Sequence, residues 1–570
     1  MNKNILYTVK GVAGCLLMAS LAAGCAQEDI DTAPSGGGGM SASSYVSLSF
    51  ASQQSTPTRS NPTGGETGDG QEKGQNYENE IKSAVAFFYQ GSGSYGVNSI
   101  GTTPIMAVAT FNIGSYTEPG NGIDRTYKTT PQQVDLDDGT YNVLVVANPG
   151  TDWWTGKSLT LAEVRNHIQT TAWTASGSDY SDFVMTSAAD ATLTLNSNPE
   201  SDPAKATVDV ERMAARLDYK AEASYTCTDP AYTGATVEIT GAALVNNLTA
   251  GSYLLKRVAD DVNGTNLSYL GNETAAENGA ATNYVLDPWT ANKNGNLYGT
   301  WFMNSSSDPN WWAGYVLPGT SVSDGAETWQ RIGYTLENTT AADAAGSDYS
   351  TGVVFKATFH PQGVANYQDG ATFFVLGTHL FASMEDMMTY VYGADFSQFD
   401  AKIDACDNWA AVKTFAASLL DNDPSGYKEF LNEQLNGKDE SIALTEEEKA
   451  GLKWSAYMLS NCGYSASLNE TYKVELDQNG IVTRNALQSY GVRTYEDATC
   501  YYTWWVRHSN DNNDDTKGIM EYAIVRNNIY KLTVSSIYSL GNDVPGEDEN
   551  IILDVYVNDW LLLEPETLPM

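Results

Sequence analysis

The sequence predicts a mainly β protein with antiparallel sheets, and two observations predict this fold class. Short segments rich in Val, Tyr, Thr and Phe recur along the chain and are bounded by Gly, Asn, Asp and Pro, as in a β-sandwich or a β-barrel. Charged residues form only 18% of the 570 residues, which is typical of an extracellular β protein with long polar loops. The length allows two or three domains.

The strand pattern is clearest in residues 45–50, 84–89, 141–147, 191–195, 206–210, 353–359, 372–376, 530–537 and 551–557. From about residue 384 to 460 the chain departs from this pattern and becomes rich in Ala, Leu, Met, Glu and Lys. Helical spacing is kept there by Cys406, Trp409, Ala416 and Leu420. Residues 445–448 read Thr-Glu-Glu-Glu, a capping box that opens a helix. We therefore expect a helical insertion in a β domain.

The first 25 residues predict export with a lipid anchor. Lys3 and Lys10 precede an apolar run over residues 11–24 that is too short to span a bilayer as a mature helix. The run ends in small residues followed by Cys25, the order that a lipoprotein signal peptidase recognises. This predicts a signal peptide over 1–24 and acylation of Cys25. An ordinary secretory signal with an incidental cysteine is the alternative. An acidic and then Gly-rich tether follows.

The charge balance excludes one class of partner. The formal net charge is −39, with 31 basic against 70 acidic residues, so nucleic acid is not expected as a ligand. The mature chain has scattered cysteines without a Cys-x-x-Cys pair, which leaves one or two disulfides open and makes a metal site unexpected. These cysteines are Cys227, Cys406, Cys462 and Cys500.

The first predicted strand is followed by an unusual loop. Val46, Leu48 and Phe50 alternate with serines, as in a half-buried strand. Residues 52–75 are then rich in Ser, Thr, Pro, Gly and Gln, and they contain Arg59, the first arginine of the chain. A polar loop of this length is uncommon inside a domain and is accessible to proteases. A plain linker is the alternative.

The C-terminal segment has the complementary property. Its apolar residues alternate with polar ones and then run together into an apolar arm that ends in Glu, Pro and Thr, so the segment can complete a sheet. An apolar arm is an aggregation hazard unless it has a place to bind. The residues that carry this pattern are Leu553, Val555, Val557, Trp560, Leu561 and Leu563.

No motif predicts a catalytic residue, a metal or a cofactor. The four histidines form no His-x-x-x-His pair. Residues 91–96 match a dinucleotide-binding fingerprint, but no helix can follow them, so a hairpin turn is expected. Residues 511–515 lack the glycine and distal glutamate of a calcium-binding loop. The tryptophan pairs 153–154, 311–312 and 504–505 suggest an alternative function, a surface glycan-binding lipoprotein.

Several segments resemble the fimbrillins of Porphyromonas and Bacteroides, the subunits of type V pili, and most closely the shaft fimbrillin of the minor fimbrium. The strongest similarity is Arg-Asn-Asn-Ile-Tyr-Lys-Leu-Thr-Val over 526–534, followed by Leu-Asp-Val-Tyr-Val-Asn-Asp-Trp over 553–560. Residues 139–149, 183–187 and 210–217 support it.

The resemblance implies two transthyretin-like domains in series and assembly by strand exchange. An Arg-specific protease would cut between Arg59 and Ser60, and the strand of Val46, Leu48 and Phe50 would leave a groove. The tail of a neighbouring subunit would fill that groove. The implied partners are further copies of the chain, related tip and anchor subunits, and the outer membrane through the lipid, with the adhesion target left open. The expected segments are the tether and first strand (25–60), an N-terminal domain (61–206), a C-terminal domain (207–545) and a final strand with donor tail (546–570).

Overall fold

The computed structural model describes residues 43–52, 71–91, 103–117, 126–248, 250–258, 285–288, 302–303, 319–324, 327–339, 350–384, 386–387, 390, 397–419, 421, 427–446, 448–449, 451–453, 487, 491–508, 520–545 and 551–561. None of the helices within these ranges has both the length and the apolar character needed to span a bilayer. The chain is mainly β, as predicted.

The strands, in chain order, are β1 (Ser44–Ser52), β2 (Gln71–Lys73), β3 (Ser83–Tyr89), β4 (Ala107–Thr117), β5 (Thr126–Thr129), β6 (Gln132–Val134), β7 (Gly139–Ala147), β8 (Ile168–Gln169), β9 (Thr174–Ser176), β10 (Asp179–Ser181), β11 (Met185–Ser187), β12 (Ala191–Leu195), β13 (Ala204–Arg212), β14 (Ala215–Lys220), β15 (Tyr225–Thr226), β16 (Thr236–Val245), β17 (Asn247–Leu248), β18 (Ser252–Tyr253), β19 (Arg257–Val258), β20 (Val285–Leu286), β21 (Phe302–Met303), β22 (Thr320–Asp324), β23 (Glu327–Thr335), β24 (Gly352–His360), β25 (Phe373–Leu376), β26 (His379–Phe381), β27 (Val492–Tyr495), β28 (Thr499–Trp505), β29 (Asn528–Ile537) and β30 (Ile551–Leu561). The α-helices are α1 (Leu161–Arg165), α2 (Ser397–Asp404), α3 (Trp409–Ser418) and α4 (Tyr427–Gln434).

Three larger sheets organise these strands. Sheet I has nine strands in the order β11-β13-β1-β5-β4-β3-β7-β12, with β6 also paired to β1, and a second pairing between β11 and β7 closes it on itself. Sheet II has six strands in the order β2-β30-β29-β14-β23-β22. Sheet III has four, in the order β15-β16-β24-β28, and a three-stranded sheet joins β26, β25 and β27.

Burial explains the sequence of each sheet. Strand β7 is a nearly continuous apolar run because both of its faces are covered. Tyr141, Val143 and Val145 lie in the core inside sheet I, which we call the first core, while Leu144 and Val146 pack on the other face near α1. Sheets II and III face each other, and their inward side chains form the second core. Each predicted strand segment coincides with an observed strand to within a few residues.

Helices are present in the region where the sequence predicts them, over its described residues. Cys406, Trp409 and Ala416 share one buried cluster with side chains of α4, while Leu420 lies outside the described residues. The predicted capping box is present as well. The Thr445 N–H donates to Glu448 Oε2 at 3.0 Å, and the Glu448 N–H donates to Thr445 Oγ1 at 3.1 Å.

Candidate functional site

Strand β1 is an interior strand of sheet I and is paired along both of its edges. On one edge it runs parallel to β13, with residues 46–52 opposite 204–210. On the other edge it is antiparallel to β6 through Ser44–Val46 and to β5 through Ser49 and Phe50. Removing it would therefore leave two rows of main-chain groups without partners.

The inward side chains of β1 are the ones that its alternation predicted. Val46 and Leu48 are 0% exposed and Phe50 is 1% exposed, and all three belong to the first core. Burial of such side chains is worth about 1.5–3 kcal/mol each. Thr129 fixes the register, because the Leu48 N–H donates to its Oγ1 at 2.9 Å and Ser47 Oγ donates to its carbonyl at 3.0 Å. Burial of these three side chains thus stabilises the attachment of the strand to the core by several kcal/mol.

Three of the predicted processing residues lie outside the described residues, namely Cys25, Arg59 and Ser60. Strand β2 begins about eleven residues after the predicted cut. The segment 71–79, which we call the strap, runs along the end of β30 and then leads toward β3.

The predicted donor residues divide into two groups. Leu553, Val555 and Val557 point into the second core of their own chain, and Trp560 is 0% exposed in the first core. Leu561 is the last residue of β30, and Leu563 lies outside the described residues. Strands β1 and β30 belong to different sheets, so the structure does not bring the two predicted segments together as neighbouring strands.

A buried ionic cluster, which we call the junction cluster, joins the strap to sheet II. Arg216 lies at its centre, with Nη1 at 2.9 Å from Glu78 Oε2 and Nη2 at 2.8 Å from Asp218 Oδ2. Arg216 also pairs with Glu72, whose second oxygen lies 2.6 Å from Lys531 Nζ. The sixth member is Arg212, whose Nε donates to the Glu78 carbonyl at 3.0 Å. The three carboxylates and three cations of this set balance in charge.

Burial shifts the ionisation of these groups. It raises the pKa of Asp218 to about 6, against the opposing effect of the Arg216 guanidinium. It lowers the pKa of Arg212 to about 9, which still leaves the guanidinium charged at neutral pH. Burial also raises the pKa of Tyr334, whose hydroxyl therefore stays protonated and donates to Glu78.

Sequence reasoning missed the junction cluster, although a signal was present. Arg212 and Arg216 border the apolar residues 213–215, and Lys531 interrupts the apolar residues of β29. Charged side chains in the apolar run of a buried strand point to internal ion pairs, because an unpaired charge there would be too costly. Their partner Glu72 lies within the polar segment 52–75 and Glu78 lies just after it, and neither could be singled out from 70 carboxylates.

The tryptophans at 153–154 and 504–505 pack against neighbouring side chains of the fold. Trp154 is buried, and Trp153 stacks on His167 with a centroid distance of 3.8 Å. Trp504 packs against the second core, while Trp505 lies by a separate small cluster. The predicted hairpin turn at 91–96 lies outside the described residues except for Gly91. The tryptophan pair 311–312 and the loop 511–515 also lie outside them. Within the described part of the chain, no group of three or more His, Cys, Asp or Glu side chains could hold a metal ion.

The sequence leaves one or two disulfides open, and the described part of the structure has three buried free thiols, those of Cys227, Cys406 and Cys500. Cys462 lies outside the described residues. Burial raises the pKa of Cys227 to about 11 and that of Cys500 to about 12, which leaves both thiols protonated and unreactive at neutral pH.

Comparison with known structures finds low overall similarity to fimbrial and adhesion proteins. A Parabacteroides distasonis protein assigned provisionally to cell adhesion is 12% identical, with 91% of this chain and 100% of that chain covered and a TM-score of 0.37. The tip fimbrial protein Mfa3 of Porphyromonas gingivalis, with a C-terminal truncation, is 8% identical over 91% of this chain and 100% of its own, with a TM-score of 0.31. The fimbrial anchor protein Mfa2 of the same organism is 12% identical over 55% and 77%, with a TM-score of 0.20.

These TM-scores are low, so the assignment rests on sequence. No curated protein sequence matches the chain. The family described as major fimbrial subunit protein type IV, fimbrillin, C-terminal, matches residues 493–565, which include strands β28, β29 and β30. The resemblance of the sequence to fimbrillins is thus confirmed over this C-terminal segment.

Proposed function

We propose that the protein is a structural pilus shaft subunit and not an enzyme. It is activated when its first strand is removed, and it polymerises when the C-terminal tail of a neighbouring subunit takes that strand's place. The observation that carries this proposal is the position of β1, which has paired strands on both edges and three fully buried side chains. The C-terminal family segment supports a fimbrial role.

The groove left by β1 would be a specific receptor for another strand. Its walls are β13 on one side and β5 with β6 on the other. Departure of Val46, Leu48 and Phe50 would leave three pockets spaced two residues apart. An alternating apolar segment would fit these pockets in one register. Because the contact is head-to-tail and does not close, repeated addition gives a filament.

The body of the subunit is expected to stay folded after the cut. The junction cluster holds the strap through Glu72 and Glu78, and both lie C-terminal to the proposed cleavage between Arg59 and Ser60. Cleavage therefore separates β1 from a segment that stays anchored. Since β1 has no covalent link to the body after that cut, only its own burial and hydrogen bonds retain it.

The remaining parts of the proposal come from the sequence. Two transthyretin-like domains in series would carry the groove and the tail. Acylation of Cys25 would place the exported subunit on the cell outer membrane, exposed at the surface, before it enters the fimbrium. Its partners would be copies of itself, related tip and anchor subunits, and an Arg-specific protease, and the filament would support adhesion.

The test is electron microscopy of the purified protein before and after limited cleavage with an Arg-specific protease. We expect monomers before the cut and filaments after it. The matched variant Arg59→Ala should stay monomeric under the same treatment. Filaments from Arg59→Ala at the wild-type rate would place the cut elsewhere. A cleaved protein that stays monomeric and binds polysaccharide saturably would favour the glycan-binding alternative.

A further inference from the structure

We infer that Trp560 is a fixed anchor, so that β30 up to this residue stays in its own subunit during assembly and only the chain beyond it is donated. This inference rests on the proposed function and deepens it. It replaces the wider donor segment expected from the sequence, which began at Leu553.

The indole of Trp560 is fully buried among aromatic and cationic side chains. The Arg212 guanidinium carbon lies 4.5 Å from the ring centroid, and the Tyr334 ring is nearly parallel at a centroid distance of 6.0 Å. Phe183 contacts it edge-on at 6.1 Å. A cation–π contact is stronger in a desolvated site than at the surface, and full burial of the indole adds to the stabilisation.

The main chain of Trp560 is held as firmly as its ring. Its N–H donates to the Asn527 carbonyl at 3.0 Å, and its carbonyl accepts from Arg212 Nη1 at 2.9 Å. On the outer edge Glu72 of β2 lies opposite Trp560. The strap approaches so closely that a Cβ on Gly74 would come within 2.5 Å of the indole Nε1.

Every element of this enclosure remains after the proposed cut. The strap, β13, β23 and β29 all lie C-terminal to Arg59. Arg212 lies beyond the part of β13 that pairs with β1, and it keeps its own pairing with Met185 of β11. Loss of β1 therefore gives no route by which Trp560 is released, and withdrawing it would break contacts that four separate segments make.

Withdrawal of β30 would also open the second core. Val555 and Val557 are 1% and 0% exposed there, and β30 pairs with β29 along nearly its whole length. Their removal would expose the second core to water, which opposes withdrawal of the strand. Strand β1, by contrast, leaves a groove that an incoming strand fills. The two ends of the chain are thus unequal, with one strand replaceable and the other fixed.

A disulfide that locks β30 to β29 tests this inference. Thr533 and Asp554 lie opposite each other in the two strands, so the variant Thr533→Cys/Asp554→Cys can be cross-linked within one subunit. A short bifunctional thiol reagent serves where the two thiols do not pair directly. We expect the locked and cleaved protein to form filaments at the rate of the same variant under reducing conditions. Mass spectrometry of filaments assembled under reduction and then oxidised should find the same cross-link within subunits.

A locked variant that stays monomeric and forms filaments only after reduction would overturn the inference, because β30 would then have to leave its sheet. That result would leave the proposed function standing. If cleaved wild-type protein forms no filaments at all, the proposed function itself fails, and the two failures are therefore distinguishable.

Discussion

Lys531 Nζ lies 2.6 Å from Glu72 Oε2, and the two side chains are 4% and 3% exposed. The contact joins a strand of the C-terminal family segment to the strap that follows the polar loop. Since the same glutamate also pairs with Arg216, one carboxylate links the residues next to the proposed cleavage loop to two strands of sheet II.

Replacing Glu72 by Gln should destabilise the fold strongly. The change leaves the buried cations of Arg216 and Lys531 with one carboxylate fewer, and breaking a buried pair costs about 3–5 kcal/mol. Chemical denaturation measures it. Glu80→Gln is the control, since Glu80 pairs with Lys82 at the surface, where the expected change is below about 1 kcal/mol. Equal effects in the two variants would show that the junction cluster does not stabilise the fold.

Replacing Leu48 by Ala should weaken the hold on β1. A Leu→Ala change at a fully buried site costs about 2–5 kcal/mol, so after the cut the N-terminal fragment should dissociate more than about tenfold faster. Size-exclusion chromatography of the nicked protein over time measures the release. Ser49→Ala, on the half-exposed face of the same strand, should behave like wild type. Unchanged release from Leu48→Ala would show that burial does not retain the strand.

The Asp218→Asn variant should reveal a pH dependence. Burial raises the pKa of Asp218 from 3.8 to about 6, so between these values the folded state holds a proton that the unfolded state has lost. The free energy of unfolding of the wild type should therefore fall as the pH rises through this window, by about 3 kcal/mol from this group. Asn cannot titrate, so the free energy of unfolding of the variant should rise relative to that of the wild type from pH 4 to pH 7. A constant difference would mean that Asp218 titrates as an ordinary carboxyl.

Replacing Cys25 by Ala should abolish lipid attachment. The lipid is expected on the sulfur of this residue, and no other acylation site is predicted from the sequence. Labelling of growing cells with a radioactive or clickable fatty acid measures it, and the variant should also fail to reach the cell surface. Normal acylation of Cys25→Ala would refute the lipoprotein assignment.

Local pattern predicted much of the fold. Strand β1 was predictable because Val46, Leu48 and Phe50 alternate with serines, and a period of two identifies a one-sided strand without knowledge of its neighbours. The capping box at Thr445 was predictable because its two hydrogen bonds connect residues three apart. Both features are local in sequence.

Pairing between distant segments was not predictable. The parallel neighbour of β1 is β13, which lies about 150 residues away. The residue pattern of neither strand identifies the other as its partner. Trp560 was expected in a free arm because it opens an apolar run, yet its pocket is made by Arg212, Tyr334 and Gly74 from three remote segments. The burial of Trp560 within its own subunit is therefore visible only in the three-dimensional packing.

The most direct test of the account locks the first strand in place. Ser49 and Thr207 lie opposite each other in β1 and β13, so a Ser49→Cys/Thr207→Cys disulfide would retain β1 even after cleavage at Arg59. We predict that the oxidised, cleaved variant stays monomeric in electron micrographs and forms filaments once a reductant releases the strand. The Thr533→Cys/Asp554→Cys variant, treated identically, should form filaments in both states. Filaments from the oxidised Ser49→Cys/Thr207→Cys protein would contradict the account, because the groove would then not be the site of assembly.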